Sequence, residues 1–234
     1  MCATYGLDPN LVYDLPPLNE REHHNVLEQW IAHHNGTAKI TGNKARNLNP
    51  LITTDQDGNR TLQLAWWWLH IRNEPAKFSA FNARDDKLLR SPAWKTPFRN
   101  HRALAPATWY VEKGTVFALP DRSTFGIAAI TTNSYHGDVD TLTYALVTRN
   151  AVAQAATVHP RMPLILPAEM HDDWLNPRIT GDAALLAFAT ISSSRRRSIL
   201  RLPIMLTSFN SSLPITGTVP RPRAKSFSSW IFVP

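Results

Sequence analysis

One cysteine in 234 residues is the first scarcity of this sequence. It excludes an internal disulfide and any zinc site built on several thiolates. Long apolar runs are also missing. Without about 20 consecutive apolar residues, a membrane-spanning helix is excluded. The opening residues Met1-Cys2-Ala3-Thr4-Tyr5-Gly6-Leu7-Asp8 contain no basic segment followed by an apolar one. A secretory signal is therefore not expected, and the expected compartment is the cytoplasm. Charged residues are sparse at 18%, and acids are absent after Asp182.

That last absence decides the charge. Twenty-five basic residues face 18 acidic ones, a net +7. Residues 194–234 hold six Arg, one Lys and no acid, so they carry the whole excess. Eight Ser and five Pro lie in the same stretch. Such a composition cannot bury enough apolar surface to order itself, so a poorly ordered tail is expected there. Two origins remain open: a shifted reading frame after about Ser193, or a basic arm that adds phosphate contacts.

Residues 1–193 are balanced in charge and suit one domain. The chain is 43% hydrophobic, enough at this length to bury roughly 70% of the unfolded surface. Asn19-Glu20-Arg21-Glu22 reads as a capping box opening a helix. Val26, Leu27, Trp30 and Ile31 continue it at helical spacing, and Gly36 stops it. Residues 37–60 are polar, with Asn49-Pro50 and Asp57-Gly58 as breakers. Leu62–Leu69 reads as a buried strand containing three tryptophans. Residues 70–100 are irregular, with a short helix near Asp85–Arg90. Ala103–Val111, Thr115–Leu119, Phe125–Thr131 and Leu142–Thr148 are β-rich runs between turn signals. Ala151–Ala156, Ala168–Leu175 and Ala183–Ala189 are helix candidates. The expected class is α+β: a strand-rich, barrel-like single domain with peripheral helices.

Cys2 carries the sharpest chemistry. Once Met1 is removed, one residue presents an α-amine and a thiol two carbons apart. Near pH 7 about 10% of such an amine is unprotonated. Nitrogen can attack an aldehyde to give an imine, and sulfur can close on the imine carbon to give a thiazolidine. A lysine stops at the imine. The plain alternative is a small residue that happens to follow the initiator. Two histidine pairs, His23-His24 and His33-His34, lie roughly 15 Å apart along the first helix, too far to share an ion.

Four motifs occur in order: Met1-Cys2, Phe81-Asn82-Ala83-Arg84, Pro106-Ala107-Thr108-Trp109-Tyr110-Val111-Glu112, and His159-Pro160-Arg161-Met162-Pro163. Together they resemble the SOS-response-associated peptidase (SRAP) family. Its members remove their own Met1 and crosslink to abasic sites in single-stranded DNA through the N-terminal cysteine. The resemblance implies that Cys2 is the nucleophile and that Asn82 orients its amine and the sugar. It implies that Glu112 and His159 move protons during ring opening and imine formation. Ring opening needs such a transfer at the ring oxygen, which a carboxyl or an imidazole provides. Arg84 and Arg161 match positions near DNA phosphate. Trp67 and Trp68 are candidates to stack on bases, with alternate faces if all three tryptophans lie on a strand.

Each residue also has a plainer reading. Glu112 suits an exposed turn, Asn82 a turn, His159 a structural role and both arginines ordinary ion pairs. The sequence departs from the family at Ala3-Thr4, where Gly-Arg is usual, and at Asp85-Asp86-Lys87 after the Asn-Ala-Arg element. The resemblance implies a monomer that needs no metal or cofactor, acts on single-stranded DNA and joins the nucleoid when bound to damage. Two other classes share the same residues: an N-terminal-cysteine peptidase or amidohydrolase, and an inactive nucleic-acid-binding domain.

Overall fold

The longest strands form where the apolar runs are longest. The computed structural model describes residues 2–10, 15–18, 20–55, 57–136, 139–195 and 200–201. Its strands are β1 (Thr4–Gly6), β2 (Thr37–Lys39), β3 (Leu48–Thr54), β4 (Arg60–Trp66), β5 (His70–Ile71), β6 (Glu74–Pro75), β7 (Asn82–Arg84) and β8 (Arg102–Ala107). They continue as β9 (Trp109–Glu112), β10 (Thr115–Ala118), β11 (Phe125–His136), β12 (Val139–Asn150), β13 (Arg161–Pro163), β14 (Ile165–Leu166) and β15 (Leu200–Arg201). The helices are α1 (Arg21–His34), α2 (Lys95–Asn100), α3 (Ala153–Ala156), α4 (His171–Leu175) and α5 (Ala183–Arg195).

Strands β12, β4, β3, β8 and β11 follow one another by hydrogen bonding, and β11 pairs back onto β12. This closes a barrel, which removes most of the sheet's edges. β7 and β13 join β12, and β14 joins β11. A second sheet runs β15-β10-β9-β1-β2. The α+β barrel expected from the sequence is the fold observed.

Three sequence expectations fail in instructive ways. Ala103–Val111 is not one strand. It breaks at Thr108, where the chain leaves the barrel at β8 and enters the second sheet at β9. Thr108 is buried and holds that corner: its N–H donates to the Gly6 carbonyl (2.7 Å), and its Oγ1 accepts the Asp8 N–H (2.8 Å). The strand read over Leu62–Leu69 ends at Trp66. Asn49-Pro50, taken as a breaker, lies inside β3. Pro50 is tolerated because the ladder from β3 to β8 is confined to Ile52↔Leu104, away from its missing N–H.

α1 starts at Arg21, with Glu20 at the N-cap making no side-chain cap bond; Asn19 lies outside the described residues. It stops as expected, with Asn35 and Gly36 both at positive φ. The candidate over Ala168–Leu175 opens as a 3-10 turn and becomes α4. Arg102 ties α2 and α4 to the barrel, donating to the carbonyls of Phe98, Arg99, Trp174, Asn176 and Ile179.

The core joins barrel and second sheet through aromatic side chains. Tyr5 of β1 packs edge-on to Trp67 (5.0 Å), which stacks on Tyr144 of β12 (6.1 Å). At the far end, α5 runs on through Arg195, and β15 pairs with β10. Of the expected tail, residues 196–199 and 202–234 lie outside the described residues.

Candidate active site

Cys2 sits just before a strand paired on both sides. β1 has Thr4 opposite Lys39 of β2 and Val111 of β9. The Ala3 carbonyl accepts the Ile40 N–H (3.2 Å), and the Cys2 thiol donates to the Thr4 carbonyl (3.4 Å). Cys2 is thus held in the interior and is only 1% exposed.

Asn82 reaches it from the barrel. β7 lies parallel to β12 with Asn82 opposite Leu146. The preceding carbonyl, Phe81, accepts both the Leu146 N–H (3.0 Å) and the Trp67 indole N–H (2.8 Å). Fixed in this way, Asn82 donates from Nδ2 to the Cys2 carbonyl at 2.7 Å. Its Oδ1 is buried and makes no hydrogen bond among the described residues.

Glu112 ends β9, followed by Lys113 and Gly114 at φ 50° and 74°. Two successive left-handed residues make the tight hairpin that turns β9 into β10, and glycine suits the second. The turn reading of this segment is therefore right for Lys113-Gly114 and wrong for Glu112, which is 4% exposed. Its Oε1 lies 3.9 Å from Nδ1 of His159.

His159 stands between α3 and β13, its N–H bonded to the Ala155 carbonyl (3.1 Å). Nδ1 faces both the Arg161 N–H (3.1 Å) and the Arg161 carbonyl (3.0 Å). A neutral ring accepts from the first; a protonated ring donates to the second or toward Glu112. The imidazole is hydrogen-bonded in either state, which suits a group that passes protons.

The electrostatics bind the group together. Burial pushes the Cys2 thiol up to about 12; the Thr4 contact opposes this and the Glu112 charge adds to it. The thiol is thus protonated at neutral pH. Tyr5 and Tyr144 share a 2.6 Å hydroxyl contact beside it, and burial raises both. Nothing in the sequence pattern pointed to that tyrosine pair.

The residues expected to face DNA are placed differently. Trp67 is 1% exposed, and the Trp68 indole N–H donates to the Ala76 carbonyl (2.9 Å). Both are core side chains. With β4 ending at Trp66, the alternation argument that would have put one of them outside does not apply. Arg161 is buried too. Its guanidinium donates to Asp85 (2.7 Å), to Asn150 (2.9 Å) and to the carbonyl of Thr148. That geometry commits it to the fold rather than presenting it to a phosphate. Arg84 is half exposed and forks onto Asp86 at 2.9 and 2.7 Å. The acids of Asp85-Asp86, visible in the sequence as a departure, are what occupy the two arginines.

Glu20, Glu22 and His23 cluster at the start of α1, with His23 Nε2 3.5 Å from each carboxylate. His33 and His34 pack on each other, and His34 stacks on Trp30. Neither histidine pair joins the site. Among the described residues, no helix is long and apolar enough to cross a membrane.

Residues 18–201 match the family model for SOS response associated peptidase (SRAP). The chain belongs to the SRAP family. Among curated relatives, the abasic site processing proteins YoaM and YobE of Bacillus subtilis are each 25% identical. Those matches cover 55% of this chain and 62% and 64% of the relatives, so less than two thirds of their length is spanned. A solved structure from Bacteroides thetaiotaomicron shares the fold with a TM-score of 0.56 at 18% identity, over 81% of this chain and 86% of that one. A second, from Bordetella bronchiseptica, gives 0.53 at 17% identity over 87% and 95%.

Proposed function

We propose that this SRAP chain processes abasic sites in single-stranded DNA by linking itself to them through Cys2, after its own removal of Met1. The observation that carries the reading is the Asn82 amide on the Cys2 carbonyl, with the Glu112–His159 pair alongside. The names of the curated relatives support the substrate class.

The residues divide the work as follows. His159 and Glu112 move the proton that opens the deoxyribose ring, exposing the C1′ aldehyde. The Cys2 amine, oriented through Asn82, adds to that carbon, and loss of one water gives the imine. The S–H bond then breaks and its proton passes to the Glu112 carboxylate. Sulfur bonds to the imine carbon, the C=N π pair moves to nitrogen, and nitrogen takes the proton back. The product is a thiazolidine. In removal of Met1 the same thiol attacks the Met1 carbonyl, the C–N bond to Cys2 breaks as the freed amine takes the thiol's proton, and water hydrolyses the resulting thioester to release methionine and restore the thiol. No metal or cofactor takes part in this scheme, and the protein acts as a monomer in the cytoplasm or on the nucleoid.

Intact mass tests the reading. The purified protein is weighed before and after mixing with a single-stranded oligonucleotide carrying one abasic site. Loss of Met1 and an adduct at the summed mass less one water are expected, with no adduct in Cys2→Ala. Retained Met1 with no adduct would leave a binding domain, and turnover of unrelated peptides would leave a peptidase.

A further inference from the structure

Tyr5 and Tyr144 form a buried polar pair that the scheme above does not use. The ladders of β1, to β2 and to β9, both lie inside the second sheet. They fix where β1 runs in that sheet, but not how it sits against the barrel. Hydrogen bonds across the junction decide that. At one end the Asn82 amide holds the Cys2 carbonyl at 2.7 Å. At the other the Gly6 carbonyl accepts the N–H of Thr108, at the corner where the barrel ends. Between them the Tyr5 and Tyr144 hydroxyls meet at 2.6 Å. Tyr144 stands on β12 two residues before Leu146, the residue that pairs with Asn82. The Asn82 link and the tyrosine link therefore rise from one short stretch of one strand. They reach β1 three residues apart, at Cys2 and at Tyr5. Trp67 packs against both tyrosine rings, and both are buried.

We infer that Tyr5 and Tyr144 are positioning residues for Cys2, their hydroxyl contact keeping β1 seated on the barrel where Asn82 meets the Cys2 carbonyl. The inference rests on Cys2 being the nucleophile of the proposed function. One hydrogen bond leaves a strand free to pivot about it, and a second, three residues on, removes the pivot. The chemistry needs it removed. Amine and thiol leave the same residue and must both reach one sugar carbon, so a misplacement of about 1 Å costs on the order of a hundredfold in rate. The β1 ladders alone are a weak restraint, because the strand is three residues long and so short an element opens locally at low cost. The plainer role is that each buried hydroxyl only satisfies the other. Replacing both at once separates the two roles.

The test compares Tyr5→Phe, Tyr144→Phe and the double variant with the unaltered protein. Phenylalanine keeps each ring against Trp67. A single replacement strands one buried hydroxyl and lowers Tm; the double one removes both and restores it. Two rates are followed by intact mass, well below the lowest Tm of the series. One is Cys2 modification by methyl methanethiosulfonate, and the other is adduct formation with the abasic-site oligonucleotide. Because the chain has one cysteine, the reagent reports that site alone. Buried as it is, Cys2 reacts with the reagent only while β1 is open. In the double variant modification is expected to be about fivefold faster, the worth of one net hydrogen bond, and adduct formation about fivefold slower or more. A double variant that regains both Tm and the original rates would overturn the inference, since the pair would only satisfy itself. So would unchanged modification, faster modification with an unchanged adduct rate, or a Tm as low in the double variant as in the singles. Faster modification in a series whose unaltered protein forms no adduct would sustain the link while removing the proposed function.

Discussion

The four residues expected to do chemistry and the four expected to touch DNA behave differently in this fold. Cys2 meets Asn82, and Glu112 meets His159, each pair drawn from separate segments, and the Glu112 charge acts on the Cys2 thiol. Trp67, Trp68 and Arg161 turn inward, and Arg84 is held by a neighbouring acid. The contrast has a physical source. Reacting groups must lie within a few ångströms of one another, so their order along the chain identifies them together. Recognition needs only aromatic and cationic side chains on a surface. Tryptophan and arginine are equally useful inside, where an indole fills volume and a guanidinium satisfies several carbonyls.

The strongest test of that contrast is Trp67→Ala. Trp67 fills the junction between Tyr5, Tyr144 and Phe81, and its indole N–H holds the carbonyl next to Asn82. Truncation should cost about 3–5 kcal/mol in a DNA-free denaturant melt. A base-stacking tryptophan would instead leave the melt unchanged and weaken single-stranded DNA binding by roughly 1–3 kcal/mol. Arg161→Met comes next. It strands the Asp85 carboxylate and empties the donors to Asn150 and Thr148. A loss of about 3 kcal/mol is expected from breaking a largely buried pair on one side. If the melt held and only the salt dependence of DNA binding changed, Arg161 would belong with the recognition surface after all.

The same contrast explains what could be read from the sequence. α1 was legible because Leu27 and Trp30 are both buried and lie three residues apart on one face. β11 and β12 were legible because their apolar runs are long. β1, β2 and β7 were not, since three residues show no period; each is a strand only because its neighbours pair with it. β3 was hidden by Asn49-Pro50, which signals a break unless one knows that the hydrogen bonds to β8 lie elsewhere. The break at Thr108 has no local signal, because the apolar run continues through it. Within the site, motif order pointed to Asn82 and Glu112, but burial of Glu112 depends on the Lys113-Gly114 turn aiming it inward. Tyr5 and Tyr144 carry no such signature. Their importance lies in what surrounds their hydroxyls.

The smallest expected effect is the most informative about the recognition half, because Arg84 is the one candidate there that reaches solvent. At half exposure its pair with Asp86 adds little to stability. What the pair does is occupy the guanidinium fork that a phosphate would use. Arg84 also holds the Asp86 carboxyl below the usual carboxylate range. A depressed carboxylate keeps its partner until the pH falls through that lowered value, so near neutrality the pair stays closed. Asp86→Asn opens it without changing shape. The melt should not move, whereas affinity for undamaged single-stranded DNA should rise a few-fold at low salt. The slope of log affinity against log salt should steepen by about 0.7, the signature of one added phosphate contact. An unchanged slope would mean that Arg84 points away from the strand. The two acids would then be helping to hold the Asn82 element in place, and DNA recognition would have to be sought outside the four residues named from the sequence.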